Sequence, residues 1–278
     1  MDRPEWAPDE VDMTSPSVAR VYDYYLGGSH NFEVDRAFAD RVLDALPEMA
    51  AVAQANRAFL RRAVHHMCAQ GIRQFLDLGS GIPTVGNVHE VAATACDDAR
   101  VLYVDNDPIA VAHSRALLDD DPSTAVLAAD LTDPRRVLDD PLTRSHLDLT
   151  QPVAVLLVSV LHFVPDEADP AGIIAAYAAA ATAPGSHVVV SHASDEGGLS
   201  GASQAQNLYN RDASPNRMRM RMRMRDNEEL TALLAGLELV EPGVVRIPLW
   251  RPETPVGPEA QRYPGLAAVA RHTGPPGD

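Results

Sequence analysis

The chain has 278 residues, enough for one or two domains with a real hydrophobic core. Hydrophobic residues make up 46% and charged residues 22%, ordinary values for a globular protein. Its 23 basic and 39 acidic residues leave a net charge of −16, which excludes general attraction to polyanions such as nucleic acid or anionic lipid.

In chain order, residues 1–13 are acidic and contain proline, and read as a loosely ordered tail rather than a signal peptide. Residues 14–46 carry Tyr22, Tyr24 and Tyr25 ahead of Leu26-Gly27-Gly28. Two glycines after a helical stretch make a flexible turn, so this segment is expected to be a helical lid; the alternative is an ordinary helix packing its tyrosines on the core. A helix is predicted from Pro47 to Gln70, with Val52, Ala55, Phe59, Ala63 and Met67 on one face and Gly71 as its stop.

Strands are predicted at Gln74–Leu78, Val101–Val104, Thr124–Ala129, Val153–Val158 and His187–Ser191. Between them, Asn87 to Cys96 reads as a helix. Asp107-Pro108, Asp133-Pro134 and Asp169-Pro170 each place a capping acid before a first-turn proline. Asp226 with Glu229 opens another helix, ended by Gly236. Leu237–Val240 and Val244–Leu249 flank Pro242-Gly243 and read as an antiparallel hairpin. Residues 251–278 read as a C-terminal extension rich in proline, glycine and charge. The expected fold is therefore α/β: one doubly wound sheet of five parallel strands plus the hairpin, filling a single domain over residues 14–250.

Every basic residue is arginine, which with the abundant alanine and proline fits the codon bias of a GC-rich bacterial genome. Without lysine there is no P-loop and no Schiff-base chemistry. Cys68 and Cys96, 28 residues apart, read as buried free thiols, and no Cys/His spacing suggests a metal. No apolar run reaches a membrane span, so a cytoplasmic protein is expected. Nothing in the pattern sets an oligomeric state.

The chemistry gathers at strand ends. Gly79-Ser80-Gly81 closes the first strand, where glycines admit a ligand close to the backbone. Asp105 closes the second strand and suits ribose hydroxyls, with Asn106 beside it. Asp130 closes the third and can accept from an adenine amino group. A dinucleotide fingerprint would need a third glycine where Thr84 stands, after Pro83. Asp77 would also repel a pyrophosphate. It suits a ligand with a cationic end, so S-adenosylmethionine is favoured over a nicotinamide cofactor.

These residues carry a resemblance. The chain resembles class I S-adenosylmethionine-dependent methyltransferases of Rossmann-like fold. More closely, it is similar to a bacterial S-adenosyl methyltransferase family formerly of unknown function. The stretches concerned run from Ala19 to Gly28, Asn31-Phe32, Asp35-Arg36, Asn56 to Leu60, Phe75 to Thr84, Asn87 to Glu90 and Glu241 to Val244. In that family Pro83 is usual. The resemblance implies that Gly79, Ser80 and Gly81 meet the methionine part of the cofactor and Asp105 the ribose. It also implies that Asp130 and Leu131 frame the adenine, and that Ser159 lies near the transferred methyl. Tyr22, Gly28, Arg57 and Asp77 complete the expected cofactor site.

Two features stay open. Arg217–Arg225 alternates Arg and Met within an insertion at 197–225 near the acceptor site; it reads as loop drift, as an edge strand burying Met, or as an anionic-acceptor patch. His162 is a candidate general base or a packing residue. The expected activity is methyl transfer to a small-molecule acceptor; the alternative is a non-catalytic sensor that binds S-adenosylmethionine or S-adenosylhomocysteine. Neither nucleic acid nor membrane is an expected partner.

Overall fold

The structure, a computed structural model, describes residues 12–83, 86–118, 120–181, 183–212 and 221–273. Five strands run parallel: β1 (Gln74–Leu78), β2 (Arg100–Asp105), β3 (Thr124–Ala128), β4 (Val153–Val158) and β5 (His187–Ala193). They lie in the order β3-β2-β1-β4-β5. The chain therefore reverses its direction of travel across the sheet between β1 and β4. Doubly wound sheets bind their ligands outside the strand ends at such a switch point.

Period-two alternation divides the strand residues between two cores. Phe75, Val101, Val126, Ala154, Leu156 and Val189 pack under α3 (Met49–Ala69), α4 (Val88–Ala95) and α5 (Pro108–Leu118). Leu76, Leu78, Leu102, Leu127, Val155 and Leu157 pack on the other face. There they meet α6 (Pro134–Leu138), α8 (Pro170–Ala180) and α10 (Asn227–Leu233). Burial on both faces explains why the strands read as continuous apolar runs. The α3 stripe runs through Ala53, Asn56, Leu60 and Val64 as well as Phe59, Ala63 and Met67, while Val52 and Ala55 are only half-buried.

The Asp-Pro signals each start a helix. Asp107 Oδ1 accepts from Ile109 N at 2.8 Å, Asp133 from Arg136 N at 3.1 Å and Asp169 from Gly172 N at 3.0 Å. Asp140-Pro141 does the same for α7 (Pro141–His146), a one-turn helix that periodicity alone does not reveal. At α10 the reciprocal box forms: Glu229 N donates to Asp226 at 2.8 Å and Asp226 N to Glu229 at 3.0 Å. Asp226→Ala should lower stability by about 1 kcal/mol, read from urea denaturation midpoints.

The C-terminal part is antiparallel, but not as a hairpin. β6 (Glu238–Leu239) and β7 (Val245–Arg246) both pair with β8 (Gly265–Arg271) and not with each other. Both run antiparallel to β8 along the same side of it, so they lie end to end and cannot form a ladder together. β8 itself pairs with β5 over seven residue pairs. Part of the expected C-terminal extension, Gly265–Arg271, is thus an interior strand. Of the expected N-terminal tail, residues 1–11 lie outside the described residues, as do Thr84, 213–220 and 274–278.

Residues 14–46 form α1 (Val18–Tyr25) and α2 (Glu33–Ala45), packed with α9 (Ala202–Asp212) in a third cluster around Tyr25, Phe38, Leu46, Ala205 and Tyr209. Arg20, buried, holds this segment by pairing with Asp35 at 2.8 Å. Cys68 and Cys96 are buried free thiols, their sulfurs 2.8 Å apart. No helix among the described residues is long and apolar enough to cross a membrane.

Candidate cofactor and acceptor site

The C-terminal ends of β1 to β5 open into a cavity of about 680 Å³. The segment 12–25, the start of α3, and α9 with Met222 and Met224 complete its wall. The glycine loop is shaped to be lined closely. Gly79 has φ +73°, and a Cβ there would stand 2.4 Å from Val160 Cγ2. Only glycine tolerates both the dihedral and the contact. Gly81, at φ +68°, donates its N–H to Asp105 Oδ2 at 2.7 Å.

Two carboxyl groups sit deep in this wall. Burial pushes Asp77 up to about 7; Arg57 opposes the shift and Asp105 adds to it. Burial also pushes Asp105 up to about 6, against the N–H groups of Asp107 and Gly81 that favour its charged form. Arg57 reaches in from α3, its guanidinium 5.6 Å from the centre of the Tyr22 ring. Its Nε is buried with no hydrogen-bond partner. An unpartnered guanidinium nitrogen beside a buried acid is a site prepared for a ligand that carries both signs of charge. Farther along, Asn106 donates to Asp130 at 3.1 Å, and Asp130 accepts from Thr132 N at 2.9 Å. Leu131 is buried, and its carbonyl accepts from Tyr177 at 3.0 Å.

At the switch point, Ser159 adopts φ +60°, a left-handed conformation uncommon outside glycine. It is held by its N–H, which donates to Ser191 Oγ at 2.9 Å. Ser191 donates to Asn56 at 2.6 Å, and Asn56 donates to Tyr22 Oη at 3.0 Å. One chain of hydrogen bonds therefore joins the end of β4, β5, α3 and α1.

Beyond Ser159 lie two imidazoles. Arg225 donates to His192 Nε2 at 2.9 Å, so the His192 proton is on Nδ1, which donates to the Ala193 carbonyl at 2.8 Å. His162 Nδ1 faces the N–H of Ala193 at 3.4 Å, which leaves its proton on Nε2. Burial, with His192 and Arg225 nearby, holds His162 well below the ordinary imidazole range, so the ring is neutral. Arg225 is buried and anchored by Asp166 and the carbonyls of Leu161 and Val164.

The described part of the Met–Arg run, residues 221–225, belongs to no helix or strand, and from 221 to 224 exposure alternates with a period of two. Met222 and Met224 line the cavity, while Arg223 turns outward to Asp166 and Glu229, both at 2.7 Å. Arg225 departs from the pattern by being buried. Residues 217–220 lie outside the described residues.

The structure brings Tyr22, Arg57, Asp77, Gly79, Ser80, Gly81, Asp105, Asn106, Asp130, Leu131, Ser159 and His162 to one cavity wall. Gly28 is the exception. It lies off the wall, and a Cβ there would meet the Asp23 carboxylate at 2.0 Å. The side chain of Asp23 instead accepts from His30 N and Asn31 Nδ2, both at 2.9 Å, so Gly28 serves this turn rather than a ligand. Sequence reasoning missed Ser191, His192 and Tyr209. A polar pair closing the apolar run of β5 was the available signal for the first two.

The chain matches the family described as S-adenosyl methyltransferase over residues 4–273. A crystal structure from Thermobifida fusca, provisionally named a methyltransferase, is 40% identical, covering 96% of this chain and 99% of its own, with a TM-score of 0.88. A DUF574 family protein from Streptomyces avermitilis is 37% identical, covering 94% and 98%, with a TM-score of 0.86. Among curated proteins none matches. Fold, site and family agree: the chain belongs to the S-adenosyl methyltransferase family and is an S-adenosylmethionine-dependent methyltransferase of unidentified acceptor.

Proposed function

We propose that the cavity holds S-adenosylmethionine along the ends of β1 to β3 and a small-molecule acceptor beyond Ser159. The observation that carries this reading is the presence of buried Asp77 and the unpartnered Arg57 Nε on one cavity wall beside the glycine loop. A methionine end has an ammonium and a carboxylate, and these two side chains complement both. Gly79 admits no Cβ because Val160 stands against it, and its bare backbone lines the cavity beside these two side chains. Asp105 has used two of about four carboxylate acceptor positions on N–H groups, and the rest suit ribose hydroxyls. Asp130 and Leu131 suit the adenine.

The chemistry that the cofactor would supply when bound is transfer of its methyl, made electrophilic by the sulfonium, to an acceptor lone pair with cleavage of the carbon–sulfur bond, the acceptor's proton passing to bulk solvent once the site opens. The protein's part is alignment and exclusion of water. Tyr22, through Asn56 and Ser191, fixes the strained Ser159 beside the site of transfer. Such positioning supplies much of the rate of a bimolecular transfer. With its proton on Nε2, His162 fits a donor that orients the acceptor better than a general base. The segment 14–46 acts as a lid, and the buried free thiols fit a reducing, cytoplasmic setting.

The test is thermal shift with S-adenosylhomocysteine and with NAD. At about 100 times its dissociation constant, S-adenosylhomocysteine should stabilise the protein by about 2.7 kcal/mol, and NAD should give no shift. A shift with NAD alone would sink the reading. Acceptor-dependent release of S-adenosylhomocysteine then reports turnover.

A further inference from the structure

We infer that the acceptor is an uncharged, apolar, ring-bearing molecule that presents one polar nucleophilic group. The inference rests on the cofactor reading above and concerns the other half of the same cavity. Among the described residues, every carboxylate and guanidinium on the wall comes from the ends of β1 to β3, from α3 or from the segment 12–20. The half beyond β4 and β5 has none. Its walls are Tyr25, Phe163, Ala205, Tyr209, Met222 and Met224.

These residues form a chamber rather than a scattered rim. Tyr25 and Tyr209 join through their hydroxyls at 3.3 Å, and both are nearly fully buried. Phe163 tilts against Tyr209 with ring centres 5.7 Å apart. Aromatic rings and thioethers make favourable contacts with another ring, and none of these side chains carries a charge. An ion placed here would lose its hydration with at most a ring face in exchange, which is costly. Arg225, behind the imidazoles, is committed to Asp166, His192 and backbone carbonyls. Among the described residues, the titratable groups on the walls of this half, besides tyrosines, are His162 and His192, and both are neutral. Apart from the joined Tyr25 and Tyr209 hydroxyls, the polar side chains of this half gather at the inner end, where Ser159, Ser191 and the imidazoles stand. An amphiphile of one apolar body and one polar tip matches that division.

Three probes that share the naphthyl ring test this: 1-naphthol, 1-naphthoate and 1-naphthylmethylammonium, titrated by calorimetry into the full chain saturated with S-adenosylhomocysteine. Naphthol should bind at least tenfold tighter than either ion. Equal or tighter binding of an ion, or no binding of any probe, overturns the inference. Ala205→Glu should weaken naphthol at least tenfold while S-adenosylhomocysteine affinity stays within twofold. Met222→Glu, at a half-buried position, serves the same purpose if Ala205→Glu does not fold. Unchanged naphthol affinity in a folded variant places the probe elsewhere and overturns the inference. Failure of S-adenosylhomocysteine itself to bind is a separate result; it removes the cofactor reading and this inference with it.

Discussion

Removing residues 264–278 is expected to leave a chain that does not fold. The segment looks dispensable in the sequence, set between Pro252–Pro264 and a run of glycine and proline. In the fold it contains β8, an interior strand whose residues Leu266 to Ala270 are 0–2% exposed. Its loss would strip β5 of seven paired residues and leave β6 and β7 without their partner. Leu266 and Val269 alone represent about 1.5–3 kcal/mol of burial each. Unmet backbone groups along β5 add to that, against a total stability of about 5–15 kcal/mol for a typical domain. The deletion is checked by circular dichroism and by the loss of a cooperative thermal transition. Leu266→Ala is the graded version, expected to cost about 2–5 kcal/mol in chemical denaturation. A truncated chain that melts cooperatively at the original temperature would refute the placement of β8.

The same strand shows where the sequence was silent. β1 and β4 were legible to the residue because each is a short apolar run bounded by polar or turn residues. The segment Gly265-Leu266-Ala267-Ala268-Val269-Ala270 has only one β-branched side chain, no alternation, and a composition that equally suits a helix. Being buried on both faces, it carries no period-two signal. The turn at Pro242-Gly243 then drew β6 and β7 together, because their true partner lies well downstream, Leu239 pairing with Ala270 and Arg246 with Leu266, and long-range pairing leaves no local mark. Within the site, Asp77, Gly79, Gly81, Asp105 and Asp130 were legible because strand ends are places where ligands bind. Gly28 failed for a related reason: a glycine reports a close approach, and here the approaching group is the Asp23 carboxylate. The His162 and His192 proton positions were beyond reach, since they depend on Ala193 and Arg225, which meet them only in three dimensions.

Affinity for S-adenosylhomocysteine is expected to fall as pH is lowered from 8 to 5, by up to about tenfold per unit below pH 7. The group responsible is Asp77, raised from an ordinary 3.8 to about 7 chiefly by burial. Three groups interact with it electrostatically: Arg57 from α3 and, from β2, Asp105 and Tyr103. Without ligand, the folded chain keeps the Asp77 proton between about pH 4 and 7 while the unfolded chain releases it. This group therefore lowers stability as pH rises through that window, with the full penalty above pH 7 and none below about 3.8. A bound ammonium reverses the balance, because it favours the carboxylate. Binding near pH 6 to 7 should release a proton, measured by calorimetry in phosphate and Tris buffers, whose ionisation heats differ. Asp77→Asn keeps the shape and removes the charge. It should abolish proton release between pH 6 and 8, weaken binding at pH 8 by about 10- to 100-fold, and stabilise the ligand-free protein at that pH. Below pH 6 some dependence should survive in the variant, because Asp105, raised to about 6, titrates there. Proton release that persists unchanged in Asp77→Asn would mean that another group meets the ammonium. A stability gain without loss of affinity would mean that Asp77 faces no ligand charge at all.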